Sequence, residues 1–268
     1  MYLHIGLPKT GTTYLQRWFW PDLCRVNSIA YCGKYYTNDD SVPLGLMGSY
    51  RMDRLKGSDP NLYLPFSMGG SPTREIVRRL GVDYEKTAHM LRQFASNRRL
   101  YSNETLLWRA QDVISVVEHY QAGGARVILT TRDPLAWARS FYLSFLDVGQ
   151  AGFKLIPTGT TVSEFCDMAL RDIHDKIDLF SIALGGRRAR QVLDDLSAVL
   201  VDGIELCSKP DAQADFCRRL GLDPVAVIGE RENVFKNPFG LDVAAVMAEF
   251  EEHASRFAGL GYHSGQAT

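Results

Sequence analysis

Between Gly6 and Thr13 the chain reads Gly-Leu-Pro-Lys-Thr-Gly-Thr-Thr, the composition of an anion cradle. Loop N–H groups and the N–H groups of a first helical turn can converge on an anion, and the helix dipole favours negative charge there. The nearest general pattern is the Walker A loop, G-x-x-x-x-G-K-[ST]. Gly6, Gly11 and Thr13 match it, but Thr12 holds the Lys position and the cation sits at Lys9, inside the loop. A nucleotide triphosphatase uses the Lys after the second Gly on the β/γ-phosphates and the Ser/Thr on Mg²⁺. A loop that keeps the cradle and relocates the charge suits a phosphate-like ligand with a chemistry other than γ-phosphoryl transfer. Turn chemistry alone does not call for two glycines, a Lys and three threonines in one loop.

A second cation, Arg132, follows the clearest strand-like run of the chain, Ala125 to Thr131, and precedes Asp133-Pro134. In an open α/β sheet, ligands collect at the carboxyl ends of the strands. Arg132 therefore falls on the same sheet edge as the Gly6–Thr13 loop. A ligand with two anionic ends needs two cationic pockets on one edge, and the planar fork of Arg binds two oxygens at once.

These residues carry a resemblance. Leu7-Pro8-Lys9-Thr10-Gly11-Thr12-Thr13-Tyr14-Leu15-Gln16 resembles the 5′-phosphosulfate loop of sulfotransferases that use 3′-phosphoadenosine 5′-phosphosulfate (PAPS). Arg132-Asp133-Pro134 through Ser140-Phe141-Tyr142 resembles the 3′-phosphate motif of the same family, an Arg after a strand and a Ser eight residues later. The resemblance implies that Pro8, Lys9, Thr10, Gly11, Thr12 and Thr13 form the donor loop. Lys9 would also meet the bridging oxygen as it leaves, and Arg132 and Ser140 would bind the 3′-phosphate. It covers Tyr2–Phe19 and Thr131–Tyr142; elsewhere only the order of elements matches.

Sulfuryl transfer to a hydroxyl or amine also needs a proton acceptor. Glu104 is the first choice, because it trails the strand-like Arg98–Ser102, and Ser102-Asn103-Glu104 resembles an S-x-E stretch of bacterial members. Its competing role is an acid at the start of the Leu106 helix. His89 is the runner-up by resemblance to cytosolic members, with a helix-surface position as its competing role. Some carbohydrate-acting members place a Glu soon after the donor loop; here no Glu stands between Lys9 and Glu75. His4, inside the first strand, reads as a packed core residue. Glu230 to Asn237 is a charged, loop-like run resembling the segment that closes over the nucleotide.

The elements that must position these residues alternate. Tyr2–Ile5 reads as a strand, and from Thr13 a helix follows with Leu15, Trp18 and Phe19 on one apolar face. Further strands are expected at Ser28–Gly33, Arg98–Ser102, Ala125–Thr131 and Ala198–Leu206. Helices are expected at Tyr84–Asn97, Leu106–Tyr120, after Pro134, and at Val162–Leu184, Arg188–Leu196, Ala212–Leu220 and Val243–Phe257. This alternation implies an α/β, three-layer fold with a central parallel sheet and a P-loop-like 5′-phosphosulfate loop. Residues 1–268 read as a single domain, with an insert at 35–70 and an irregular segment at 149–159 near the acceptor.

The chain has 268 residues, 46% hydrophobic and 23% charged, with a net charge of −1. That balance gives no global drive toward nucleic acid or a membrane surface, so any anion site is local. The five Cys show no metal-ligand spacing, which fits a reduced, cytoplasmic protein. With a strand expected straight after Met1, no signal peptide is expected, and no run approaches the ~20 apolar residues of a transmembrane segment. With Thr12 in place of the Walker Lys and no carboxylate cluster, no metal is expected. Two other readings stay open: a P-loop nucleotide kinase or NTPase, with Asp133 as its Mg²⁺ acid, and a non-catalytic nucleotide-binding protein. The acceptor is not legible; a carbohydrate and a small alcohol both suit the aromatic and aliphatic residues of 35–70 and 149–159.

Overall fold

The computed structural model describes residues 1–33, 98–102, 118, 121, 124–148, 156–157, 159–227 and 240–262. Tyr2–His4 is the central strand, β1, and the others are β2 (Ala30–Gly33), β3 (Arg99–Ser102), β4 (Arg126–Thr131) and β5 (Val199–Asp202). They form one sheet in the order β2-β3-β1-β4-β5, with every pairing parallel. The register sets His4 opposite Ser102 on one side and Ile128 on the other.

Alternation along the strands divides the core in two. Leu3, Val127 and Leu129 join one buried cluster, together with Trp137, Phe141, Phe165 and Phe250. Tyr2, Leu100, Ile128 and Val201 join the other, with Leu15, Phe19, Trp20 and Phe216. The first cluster is built by α2 (Pro134–Val148), α3 (Val162–Leu170), α4 (Leu179–Ala183), α5 (Arg187–Asp195), α8 (Val243–Glu252) and α9 (Ala254–Phe257). The second takes α6 (Gly203–Ser208), α7 (Pro210–Leu220) and the helix after the Gly6–Thr13 loop, α1 (Thr12–Val26). Helices thus cover both faces of an all-parallel sheet, as such sheets require.

Helix α1 runs in three continuous pieces: Thr12–Tyr14, a π-helical turn at Leu15–Phe19, and Trp20–Val26. The π turn adds a residue to the helical repeat and so rotates the face presented by the residues after it. That corrects the expected apolar face. Leu15 and Phe19 are buried, but Trp18 is 43% exposed, and Trp20 takes a fully buried place instead.

The chain leaves β1 across one face through α1 and leaves β4 across the other through α2. The strand order reverses there, with β2 and β3 to one side of β1 and β4 and β5 to the other. A crevice beyond the carboxyl ends of β1 and β4 is where ligands collect in such sheets. The Gly6–Thr13 loop and Arg132 both lie at that point.

Three expected elements differ. Val162–Leu184 is two helices: Arg171 turns to ψ 134° and Asp172 to φ 57°. The break lets Ile173 and Ile177 bury, and Asp178 caps the restart by accepting the Ser181 N–H at 2.7 Å. The strand expected at Ala198–Leu206 stops at Asp202, whose carboxylate accepts the N–H groups of Ile204 (2.8 Å) and Glu205 (3.0 Å) and opens α6. The last helix divides at His253. The expectations for 35–70, for Tyr84–Asn97, for 230–237 and for most of Leu106–Tyr120 and 149–159 lie outside the described residues. Among the described residues, no helix is long and apolar enough to cross a membrane.

Candidate functional site

The Gly6–Thr13 loop is tied down through its carbonyls. Thr10 Oγ1 donates to Leu7 O at 2.6 Å, and Trp137 Nε1 donates to Pro8 O at 2.8 Å. Arg132 Nη1 donates to Lys9 O at 3.0 Å. Leu15 N donates to Gly11 O at 3.1 Å, and the Cys207 thiol reaches the same oxygen at 3.6 Å. In a planar trans peptide, each C=O points opposite to the next N–H. Anchoring the Pro8, Lys9 and Gly11 carbonyls therefore turns the Lys9, Thr10 and Thr12 N–H groups away from those anchors.

Two backbone conformations make that path possible. Lys9 has φ 67° and Gly11 has φ 79°, both in the left-handed region. At Lys9 this costs roughly 1–2 kcal/mol, offset by the anchors on either side of it. The second requirement is close approach. Gly203, at the start of α6, lies so near the loop that a Cβ there would stand 1.9 Å from Thr10 O. Only a glycine lets α6 back the loop this closely.

Arg132 follows β4 and is part-buried. Burial lowers its guanidinium from the ordinary value, and Asp202 and Asp133 pull it back up. Each carboxylate also caps a helix. Asp202 caps α6, and Asp133 Oδ1 accepts the Ala136 N–H at 2.8 Å at the start of α2. Ser140 sits two turns into that helix, half-buried. The Cys207 thiol is pushed up to about 12, by burial first and then by Asp202, so it stays protonated beside the loop.

Beneath the loop lies a buried polar network that the sequence did not announce. His4 Nδ1 meets Ser102 Oγ at 2.7 Å, and His4 Nε2 meets Thr130 Oγ1 at 3.2 Å. Thr130 Oγ1 meets Thr10 Oγ1 at 2.8 Å. Gln16 Nε2 donates to Ser102 O at 3.3 Å and to Ser102 Oγ at 3.1 Å. His4 is thus a packed residue, as expected, but also a hydrogen-bonding hub. Its sequence signal was weak: His4, Ser102 and Thr130 are polar residues at or next to the carboxyl ends of three strands.

Burial lowers the His4 imidazole to about 3, against an ordinary value of about 6.5. Between those values the unfolded chain takes up a proton that the folded chain refuses. The neutral His4 contribution is therefore intact above about pH 6.5 and is lost as pH falls toward 3. His4→Gln removes this titration. The expected result is a urea midpoint that falls less steeply between about pH 6.5 and about pH 4 than in the parent protein. Equal slopes would contradict it.

The structure brings together Pro8, Lys9, Thr10, Gly11, Thr12, Thr13 and Arg132 at one sheet edge, with Ser140 on the adjoining helix. It does not bear on Glu104 or His89, which lie outside the described residues. Ser102, two residues before Glu104, ends β3 at the same edge. The chain leading to 230–237 is tied to α1 up to its last described residue: Tyr14 Oη donates to Val227 O at 2.8 Å. Among the described residues, no group of three or more His, Cys, Asp and Glu side chains gathers as a metal site would. Comparison with protein-family models, with curated proteins and with solved structures finds no match to this chain.

Proposed function

We propose that the protein is a PAPS-dependent sulfotransferase, moving a sulfuryl group to a hydroxyl or amine of an acceptor such as a carbohydrate or small alcohol. The observation that carries this reading is the joint between its two cationic residues. Arg132 holds the backbone of Lys9 at 3.0 Å, where the strand order reverses. One basic residue inside a phosphate-type loop and a second beside it suit a ligand with a 5′-phosphosulfate and a separate 3′-phosphate. A kinase reading would need Asp133 for Mg²⁺, and that carboxylate is engaged as a helix cap.

In this reading the loop N–H groups and Lys9 hold the phosphosulfate, and Arg132 with Ser140 holds the 3′-phosphate. Glu104 takes the proton as the acceptor oxygen or nitrogen bonds to sulfur. Lys9 meets the charge that develops as the bond from sulfur to the phosphate oxygen breaks. The products are the sulfated acceptor and 3′-phosphoadenosine 5′-phosphate. The test is release of that nucleotide from PAPS, screened over carbohydrate, alcohol and amine acceptors. Release that rises with one acceptor class is expected; no acceptor-dependent release in any class would leave a nucleotide-binding protein without transfer.

Arg132→Ala separates reading the 3′-phosphate from anchoring the loop. Loss of the bond to Lys9 O weakens every donor. PAPS should lose roughly 1.5–3 kcal/mol more than adenosine 5′-phosphosulfate, which lacks the 3′-phosphate. Binding titrations of both nucleotides measure it. Equal losses would show that Arg132 serves only the loop.

A further inference from the structure

Every hydrogen bond in the buried network can be given a direction, because the carbonyls at its two ends accept only. Ser102 O fixes the Gln16 amide: a flipped amide would set two acceptors against each other. Leu7 O, at 2.6 Å, claims the Thr10 hydroxyl proton, so Thr10 Oγ1 accepts from Thr130. Thr130 has then spent its proton and must accept from His4 Nε2–H. His4 Nδ1 is left bare and accepts from Ser102, whose Oγ accepts from Gln16. Five contacts receive five protons, all pointing one way from Gln16 to Leu7 O. The opposite tautomer fails the count. It leaves the Ser102 proton without an acceptor and one contact of the chain without a proton.

The members are buried to 3% exposure or less. They come from α1, β3, β1, β4 and the loop. Gly6 lies directly over the centre: a Cβ there would stand 2.6 Å from Thr130 Oγ1 and 2.7 Å from His4 Nε2. The π turn contributes at the head. Gln16 faces inward within it, and its carbonyl accepts the Tyr31 hydroxyl at 3.0 Å. Hydrogen bonds in series polarise one another, so loss of one link weakens its neighbours.

We propose that His4, as the neutral Nε2–H tautomer, is a positioning residue that holds the Lys9 loop in its anion-binding shape through Thr130 and Thr10, and couples it to the end of β3. The donor-affinity arm of this proposal rests on the sulfotransferase reading; the tautomer and loop arms do not. Thr130 is the link to change, because Val keeps its shape and removes its hydroxyl, whereas Ser keeps the hydroxyl.

Three measurements on the full chain test it. Imidazole ¹⁵N spectra should show His4 protonated at Nε2 and bare at Nδ1. Amide exchange of Lys9–Thr13 should quicken by about tenfold in Thr130→Val and stay within about twofold of the parent in Thr130→Ser. PAPS affinity should follow the same order, about tenfold weaker in Thr130→Val and rescued in Thr130→Ser. A His4 protonated at Nδ1 overturns the chain's direction. Unchanged loop exchange in Thr130→Val, or equal effects of Val and Ser, overturns the positioning role. If the parent protein ignores PAPS while the exchange pattern holds, the positioning role stands and the sulfotransferase reading falls.

Discussion

Lys9→Ala is expected to abolish sulfuryl transfer. Lys9 supplies the cation inside the loop, and its charge would face both the bound phosphosulfate and the oxygen that leaves. Charge aimed at a developing anion is typically worth ~3–4 kcal/mol of barrier, or about 10²–10³ in rate. The structure adds a control. Lys9 has φ 67°, which Lys and Ala tolerate equally poorly and Gly accepts freely. Lys9→Gly should therefore be at least as stable as Lys9→Ala and equally inactive. Turnover with thermal unfolding of both variants measures this. Activity within a few-fold of the parent in either variant would remove Lys9 from the mechanism.

Glu104→Gln should lower turnover by ~10²–10⁴ while donor affinity stays nearly unchanged. Gln keeps the shape of the side chain and removes its basicity. The expectation comes from sequence position: Glu104 follows Ser102 by two residues, and Ser102 ends β3 on the edge that carries the donor loop. Donor binding does not need the base, so the effect should fall on kcat. His89→Ala is the companion variant. An active Glu104→Gln beside an inactive His89→Ala would transfer the role to His89. Turnover in excess EDTA completes the set, and activity lost there and restored by Mg²⁺ would favour the kinase reading.

The features legible in the sequence were those with a local cause. Glycines at 6 and 11 mark a tight loop, Lys9 between them marks its charge, and the apolar run into Arg132 marks a buried strand. The parallel sheet followed from alternating strands and helices. What escaped the sequence depends on partners far along the chain. Trp137 is 129 residues from the Pro8 carbonyl it holds, and His4 is 126 from Thr130 and 98 from Ser102. Nothing near His4 in sequence signals those hydroxyls. Gly203 looked like the inside of a strand because Val199–Leu206 is largely apolar; its need for close approach shows only when α6 meets the loop. The π turn escaped for a related reason. The spacing of Leu15, Trp18 and Phe19 fits an ordinary helix, and one extra residue in the repeat exchanges Trp18 for Trp20 in the core.

The most direct test of the donor assignment is a paired titration of the full chain, with 3′-phosphoadenosine 5′-phosphate in EDTA and with ATP in excess Mg²⁺. The relocated Lys9 and the neighbouring Arg132 predict tight binding of the first and weak binding of the second. Lys9→Ala and Arg132→Ala should each weaken the first. Tight Mg²⁺-dependent binding of ATP, with indifference to 3′-phosphoadenosine 5′-phosphate, would contradict the sulfotransferase reading.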